Sequence, residues 1–192
     1  MRSSLYIFFL VIAVLANFAT AQSDSGRPQP ILVDVIGGGG KRIGRSVRTV
    51  NASFAVNRYG SANEVEARAF DLMNGQRQAI GLGSLEWDEQ IVSLARTHSQ
   101  NMATGKYFSH KDTNGGYVDD RAAKLGIFNW MAIGENIAFM RGYDDPASMA
   151  VEKWMQSPSH KKNILNNQWR QTAIGVAVGD DGSVYFTQIF IY

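Results

Sequence analysis

The sequence contains no cysteine among its 192 residues. This absence excludes a disulfide framework, a thiolate nucleophile, a cysteine-ligated zinc or iron–sulfur site and a lipid-modified N-terminal cysteine. Any metal ion would need histidine, aspartate or glutamate ligands, and the chain has three histidines. An excess of charge of one sign is also missing, because the formal net charge is +2. Dedicated nucleic-acid-binding domains are usually strongly basic, so we expect no nucleic-acid partner.

The apolar run at the N-terminus, residues 5–16, is shorter than the roughly 20 residues that a membrane-spanning helix needs. Arg2 precedes this run, and the small residues Ala19, Thr20 and Ala21 follow it. A positive start, a short apolar stretch and an A-x-A pattern are typical of a cleaved export signal. We therefore expect residues 1–21 to be a signal peptide and the protein to be extracellular, periplasmic or attached to the cell envelope. An exported chain without cysteine is more natural in bacteria than in a eukaryotic secretory pathway.

Regular periodicity is largely missing from residues 22–62, where six basic residues face two acidic ones and glycines occupy positions 37–40. This composition predicts a flexible basic linker, either a solvated tether or a segment that contacts an anionic envelope. Residues 63–192 carry a net charge of −3 and show regular patterns, so we expect them to form one domain.

Helix and strand signals alternate along this second part of the chain. Asn63, with Glu66 three residues later, resembles a capping box, and His98 falls on the apolar stripe of the next helix, as a core histidine would. The full pattern predicts helices after Asn63, Asp88, Asp145 and Ser157, a short helix over 118–125, an extended segment over 133–139 and a hairpin of strands 173–178 and 184–192. Helices followed by antiparallel strands predict an α+β fold.

Three ionisable residues lie in apolar or glycine-rich surroundings: His110, Glu135 and His160. Two imidazoles and a carboxylate can bind a divalent ion such as zinc and leave one position open for water. Each residue also has a simpler explanation as a hydrogen-bonding or solvated group, although burying Glu135 without a partner would be costly. There is no H-E-x-x-H motif, so only the fold could bring the three together. There is no G-x-S-x-G elbow either, which argues against a serine hydrolase.

Seven short motifs occur in an order that resembles the CAP family, also called SCP, of cysteine-rich secretory, antigen 5 and pathogenesis-related proteins. They occupy residues 85–88, 95–103, 107–110, 134–138, 154–165, 174–177 and 185–188. Each motif is weak alone, but their common order is specific. The resemblance covers residues 63–192, and the lack of cysteine favours the bacterial branch.

The resemblance implies an α-β-α sandwich, with helices on both faces of a small, mainly antiparallel sheet and a central cleft. Eukaryotic members carry two histidines and two acidic residues in that cleft, which can hold a divalent metal. His110 and Glu135 match one histidine and one glutamate of this set. Ser157 and Tyr185 stand where the other glutamate and histidine are expected, which puts inherited metal binding in doubt. His160, one helical turn beyond Ser157, could restore a ligand.

The function expected from this resemblance is an exported, non-enzymatic binding module whose polar cleft takes a small molecule, lipid or peptide. The residues expected to line the cleft are His110, Glu135, Asn136, His160, Tyr185 and Gln188. One alternative is a metal-assisted hydrolase in which His110 and His160 hold a zinc-like ion and Glu135 is the general base. A second alternative is a structural protein of the cell envelope.

Overall fold

The structure is a computed structural model that describes the backbone of residues 31–38 and all atoms of residues 60–192. The predicted signal peptide and most of the predicted linker lie outside the described residues. Five helices lie in the described part: α1 (Ala62–Gln78), α2 (Glu89–Gly105), α3 (Val118–Lys124), α4 (Pro146–Gln156) and α5 (Pro158–Ile164). Among them, none has the length and apolar character that crossing a membrane requires.

The strands form one mixed sheet in the order β1-β3-β5-β4-β2. They are β1 (Ile31–Gly38), β2 (Glu86–Trp87), β3 (Ile133–Arg141), β4 (Gln171–Val178) and β5 (Val184–Ile191). The three central strands are antiparallel, whereas β1 is parallel to β3 and β2 is parallel to β4. The predicted hairpin corresponds to β4 and β5. Together with helices on both faces, this sheet confirms the expected α+β sandwich.

Strand β1 lies inside the segment that the sequence predicts to be a linker. Its apolar, β-branched run pairs with β3 over eight residues, from Ile31 opposite Gly134 to Gly38 opposite Arg141. Pairing of this kind satisfies the backbone groups that β3 would otherwise present at a sheet edge. The sheet therefore extends beyond the predicted domain start, while the boundary at residue 63 itself stays a prediction.

Helix starts follow local capping rules at two of the predicted positions. The Asp88 carboxylate accepts hydrogen bonds from the backbone N–H groups of Gln90 and Ile91. The Asp145 carboxylate accepts one from Ser148, with Pro146 in the first turn. Ser157 also precedes a helix, but its side chain does not hydrogen-bond the helix start.

The predicted cap of α1 is wrong, because the capping residue is Ser61 rather than Asn63. Ser61 forms a capping box with Glu64, and the helix starts at Ala62. Glu66 does not take part in the cap and is buried in the core. It accepts hydrogen bonds from Arg96 and from the backbone N–H of Val176.

The sheet separates two packed layers. Residues of α1, α4 and α5 pack on one face against Ala138, Val176 and Phe186. On the other face, which we call the α2 face, helices α2 and α3 pack against alternate strand residues that include Ile133, Ile137 and Ile189. This alternation along each strand decides which site residues can meet.

Candidate functional site

Strand β3 sends two of the predicted site residues to opposite sides of the sheet. Glu135 lies on the α2 face with Ile137, whereas its neighbour Asn136 lies on the other face with Ala138. The sequence predicts that all six candidate residues line one cleft. The structure instead divides them into two groups on opposite faces of the sheet, and His110 and Glu135 meet on the α2 face.

Glu135 is fully buried on the α2 face, and both of its carboxylate oxygens are engaged. His110, in the loop between α2 and α3, donates from Nδ1 to Oε1 at 2.7 Å. Arg121, on α3, donates from Nη2 to Oε2. The structure therefore brings His110 and Glu135 together as predicted and adds a guanidinium that the sequence interpretation missed.

Arg121 is only 5% exposed and ties this cluster to the surrounding backbone. Its Nη1 donates to the carbonyl oxygens of His110 at 2.6 Å and of Gly116 at 3.2 Å. The available signal was helical spacing, because Val118, Arg121 and Ala122 occupy the i, i+3 and i+4 positions of one buried face. A buried arginine needs acceptors for its donors, and the buried carboxylate of Glu135 is one such acceptor.

The charges around Glu135 keep it ionised despite its burial. Burial alone would raise the pKa of the Glu135 carboxyl, but the hydrogen bond from His110 and the charge of Arg121 outweigh it and hold the pKa below its ordinary value. A carboxylate only accepts hydrogen bonds, so the proton lies on His110 Nδ1. In the neutral imidazole, Nε2 is then an acceptor.

Two polar atoms of residues 107–110 are buried without a hydrogen-bond partner in the described part of the chain. They are Nε2 of His110 and the hydroxyl oxygen of Tyr107. The His110 side chain is 12% exposed, so its ring borders solvent while the open nitrogen is covered. Burial raises the pKa of the Tyr107 hydroxyl, which keeps it protonated. Unsatisfied buried polar atoms in a native fold call for an explanation, and a ligand or ordered water would supply it.

His98 hydrogen-bonds the loop that carries His110 and is a core histidine, as predicted. Its Nε2 donates to the carbonyl oxygen of Ser109 at 3.0 Å, and the residue is 0% exposed. Burial lowers the pKa of His98 to about 4, so the ring is neutral at pH 7. This hydrogen bond fixes the backbone next to His110.

Asn136 and Gln188 belong to a buried network on the opposite face. The Asn136 amide nitrogen lies 3.4 Å from the Gln188 side-chain oxygen and 3.4 Å from the His160 carbonyl oxygen. Asn163 donates to the Asn136 side-chain oxygen at 2.9 Å. This network attaches α5 to the sheet, which gives Asn136 and Gln188 a structural role.

Tyr185 lies on the α2 face but at a distance from Glu135. It pairs with Phe139, four residues along β3 from Glu135, which corresponds to roughly 13 Å. The rings of Phe108, Phe139 and Tyr185 contact one another in sequence, and we call them the aromatic row. Their centroids lie 6.2 Å apart for Phe108 and Phe139 and 5.0 Å apart for Phe139 and Tyr185. Tyr185 also lines a pocket of about 360 Å³ with Lys106 and Asp180.

The described residues do not fit the predicted metal centre. Within residues 60–192, no three His, Asp or Glu side chains stand close enough together to hold a metal ion. His160 is on α5, where it is 1% exposed, and Ser157 offers no carboxylate. Both oxygens of Glu135 are already used, one of them by a permanently charged guanidinium.

Comparison with known proteins places these observations in a family. A profile of the CAP (cysteine-rich secretory protein) family matches residues 70–190. Two Bacillus subtilis proteins are similar: YkwD, an uncharacterized protein, is 38% identical over 131 residues, and YlbC, an uncharacterized membrane protein, is 37% identical over 126. The alignments cover 68% and 66% of this chain but only 48% and 34% of those relatives.

Solved structures agree with this match. An extracellular SCP-domain protein from Bacillus anthracis superposes with a TM-score of 0.57 at 34% identity, over 68% of this chain and 41% of that one. An outer surface protein from Borrelia burgdorferi superposes with a TM-score of 0.61 at 18% identity, over 68% of this chain and 94% of that one. The second likeness bears on the fold alone.

Proposed function

Because the chain belongs to the CAP family of cysteine-rich secretory proteins, we propose that it is exported and acts outside the cytoplasm as a non-enzymatic binding module. The signal-like N-terminus supports export, since residues 1–21 have the charge, apolar length and small residues of a cleaved leader. The description of the B. anthracis structure as an extracellular protein is consistent with this.

The observation that carries the binding proposal is the pair of open polar atoms, His110 Nε2 and the Tyr107 hydroxyl. Tyr107 packs in the same cluster as the aromatic row of Phe108, Phe139 and Tyr185, in which the two phenylalanines are half-buried, and His110 lies two residues after Phe108. A few placed polar groups beside apolar and aromatic surface are typical of small-molecule sites. We propose that the ligand places a polar group on His110 and an apolar part along this row.

The same geometry favours binding over metal-assisted hydrolysis. In the hydrolase expected from the sequence, Glu135 as general base must reach a metal-bound or substrate-bound water. Glu135 has no free oxygen, because His110 and Arg121 hold both. The carboxylate acts instead to orient His110.

Recovery of a natural ligand tests this function. The full chain would be collected from its native host, extracted with chloroform and methanol, and the extract analysed by mass spectrometry. We expect one compound to be recovered in near-stoichiometric amount from the wild type and to be lost from His110→Ala.

Lys161→Ala is the matched control, because Lys161 is exposed on α5, on the opposite face of the sheet. It should retain the compound. Repeated recovery of empty wild-type protein, or equal retention by His110→Ala, would contradict the proposed cleft.

A further inference from the structure

The guanidinium of Arg121 lies beside Glu135, where the sequence predicts a metal ion. Arg121 contacts one carboxylate oxygen, and His110 contacts the other. The side chains of Arg121 and Glu135 are 6% and 0% exposed, so bulk water does not solvate the carboxylate. A buried carboxylate without a compensating charge would be strongly destabilising.

The position of Arg121 is fixed independently of Glu135. Two of its hydrogen bonds go to backbone carbonyl oxygens of the loop that joins α2 to α3, those of His110 within the loop and of Gly116 near its end. Arginine stays protonated at all relevant pH values and carries only donors. The fold thus supplies a cation that cannot dissociate and that couples the position of the His110 loop to Glu135.

We propose that Arg121 is the built-in cation of this site, takes the place of a metal ion and positions His110. By holding Oε2 of Glu135, it leaves Oε1 to accept the Nδ1 proton of His110, which fixes the orientation of the ring. Arg121 is thus a positioning residue that acts through Glu135. A ligand group that meets Nε2 of the neutral ring is a hydrogen-bond donor, such as a hydroxyl or an amide N–H; this last consequence rests on the proposed function.

Nitrogen NMR of the histidine rings tests the proposal on the full chain. Long-range ¹H–¹⁵N spectra at pH 7.5, with zinc chloride as the added probe, would be recorded for wild type, Arg121→Gln and Arg121→Lys. With three histidines in the chain, His110→Ala assigns the signals. In the wild type we expect the Nδ1–H form of His110 and no shift of its signals on adding equimolar zinc.

Arg121→Gln should lose the single tautomer and show zinc-dependent shifts of the His110 signals, whereas Arg121→Lys should retain wild-type behaviour because it keeps the charge. Arg68→Gln is the matched control, since it removes an arginine from an exposed pair with Asp145. A purely structural arginine would alter stability without changing tautomer or zinc response.

Zinc-induced shifts of His110 in the wild type would overturn the proposal, and so would an unchanged tautomer and zinc response in folded Arg121→Gln. The zinc titration of the wild type shows whether His110 binds the metal even if Arg121→Gln fails to fold. An empty ligand extraction would leave the expected tautomer untouched, so failure of the proposed function is distinguishable from failure of this inference.

Discussion

At the scale of single residues, the site is a chain of hydrogen bonds in which each polar group determines the state of the next. The carbonyl oxygens of His110 and Gly116 hold Arg121, Arg121 holds Glu135, and Glu135 orients His110. The open end of this chain is His110 Nε2. The carboxylate therefore fixes the orientation of the imidazole ring.

Breaking the buried pair should be costly, and the cost should depend on the charge left behind. Arg121→Gln leaves the Glu135 carboxylate without its permanent cation, and we expect a loss of about 3–5 kcal/mol in the free energy of unfolding. In the double variant Arg121→Gln/Glu135→Gln, which removes both charges, the loss should be smaller than in Arg121→Gln alone. Urea unfolding of Arg121→Gln, Glu135→Gln and the double variant measures the coupling. A strictly additive double variant would show that the two side chains do not interact.

His98 predicts a loss of stability in mild acid. Its pKa in the folded protein is about 4, whereas an unfolded histidine titrates near its ordinary value of 6.5. Between these values the unfolded chain binds a proton that the folded chain does not, so stability falls as pH decreases through this window, by roughly 3 kcal/mol in total. As the pH falls through 4.5, the ordinary value of a glutamate, the unfolded chain also binds a proton at Glu135 that the folded chain, with its depressed pKa, does not, so stability falls further.

Urea midpoints measured from pH 7.5 to pH 4.5 check this slope. His98→Gln keeps an N–H donor for the Ser109 carbonyl oxygen but cannot bind a proton, so its midpoint should fall less between pH 6.5 and pH 5 than that of the wild type. Equal slopes in the two proteins would rule out His98 as the source.

At the scale of elements, the contact between α2 and β4 sets how closely the α2 face packs. Gly175 lies directly under α2, and a Cβ atom there would lie 2.1 Å from the Arg96 nitrogen and 2.3 Å from the Ala95 carbonyl carbon. These are backbone atoms of a helix, so a side chain at this position would have to displace the whole element.

Gly175→Ala should therefore destabilise the protein by about 3 kcal/mol through overpacking. Gly75→Ala is the matched control, because Gly75 is exposed inside α1 and has nothing within 4 Å of its Cβ position. That change should stabilise the protein by about 0.5–1 kcal/mol. Thermal unfolding compares the two variants, and a neutral Gly175→Ala would contradict the close approach of α2 to the sheet.

Elements were predictable where local chemistry determines them. Asp88 and Asp145 cap helices because their partners lie within three residues. The cap of α1 could not be placed correctly in this way, because Asn63 and Ser61 both precede a glutamate by three residues. What distinguishes them is long-range, since Glu66 bonds with Arg96 and Val176, 30 and 110 residues away.

The site was predictable in part for the same reason. The cost of burying Glu135 pointed to a charged partner, but its two partners lie 25 and 14 residues away across a loop. Strand alternation could have separated Glu135 from its neighbour Asn136, because adjacent strand residues face opposite sides. The position of α5 over Asn136 depends on tertiary packing, so no local pattern located His160.

At the scale of the whole molecule, the sheet separates the amide network around Asn136 from the charged cluster around Glu135. The face that carries α1, α4 and α5 holds neutral amides, such as Asn136, Asn163 and Gln188, that join elements together. The α2 face holds the charged cluster and the open polar atoms.

The N-terminus predicts how the whole chain matures. Expression of the full sequence in a bacterium, followed by N-terminal sequencing of the exported protein, should give Gln22 as the first residue, because the small residues Ala19 and Ala21 fit the cleavage pattern. Ala21→Phe, which places a bulky residue at the cleavage position, should leave the leader attached. A mature protein that still begins at Met1 in the wild type would indicate an anchor.

The most direct test of the site as a whole is a crystal structure of the protein grown with zinc chloride, with anomalous data collected at the zinc edge. We expect Arg121 on Glu135, His110 Nδ1 on the other carboxylate oxygen, and no anomalous peak within bonding distance of either His110 or Glu135. A zinc peak coordinated by His110 and Glu135, with Arg121 displaced, would contradict the account.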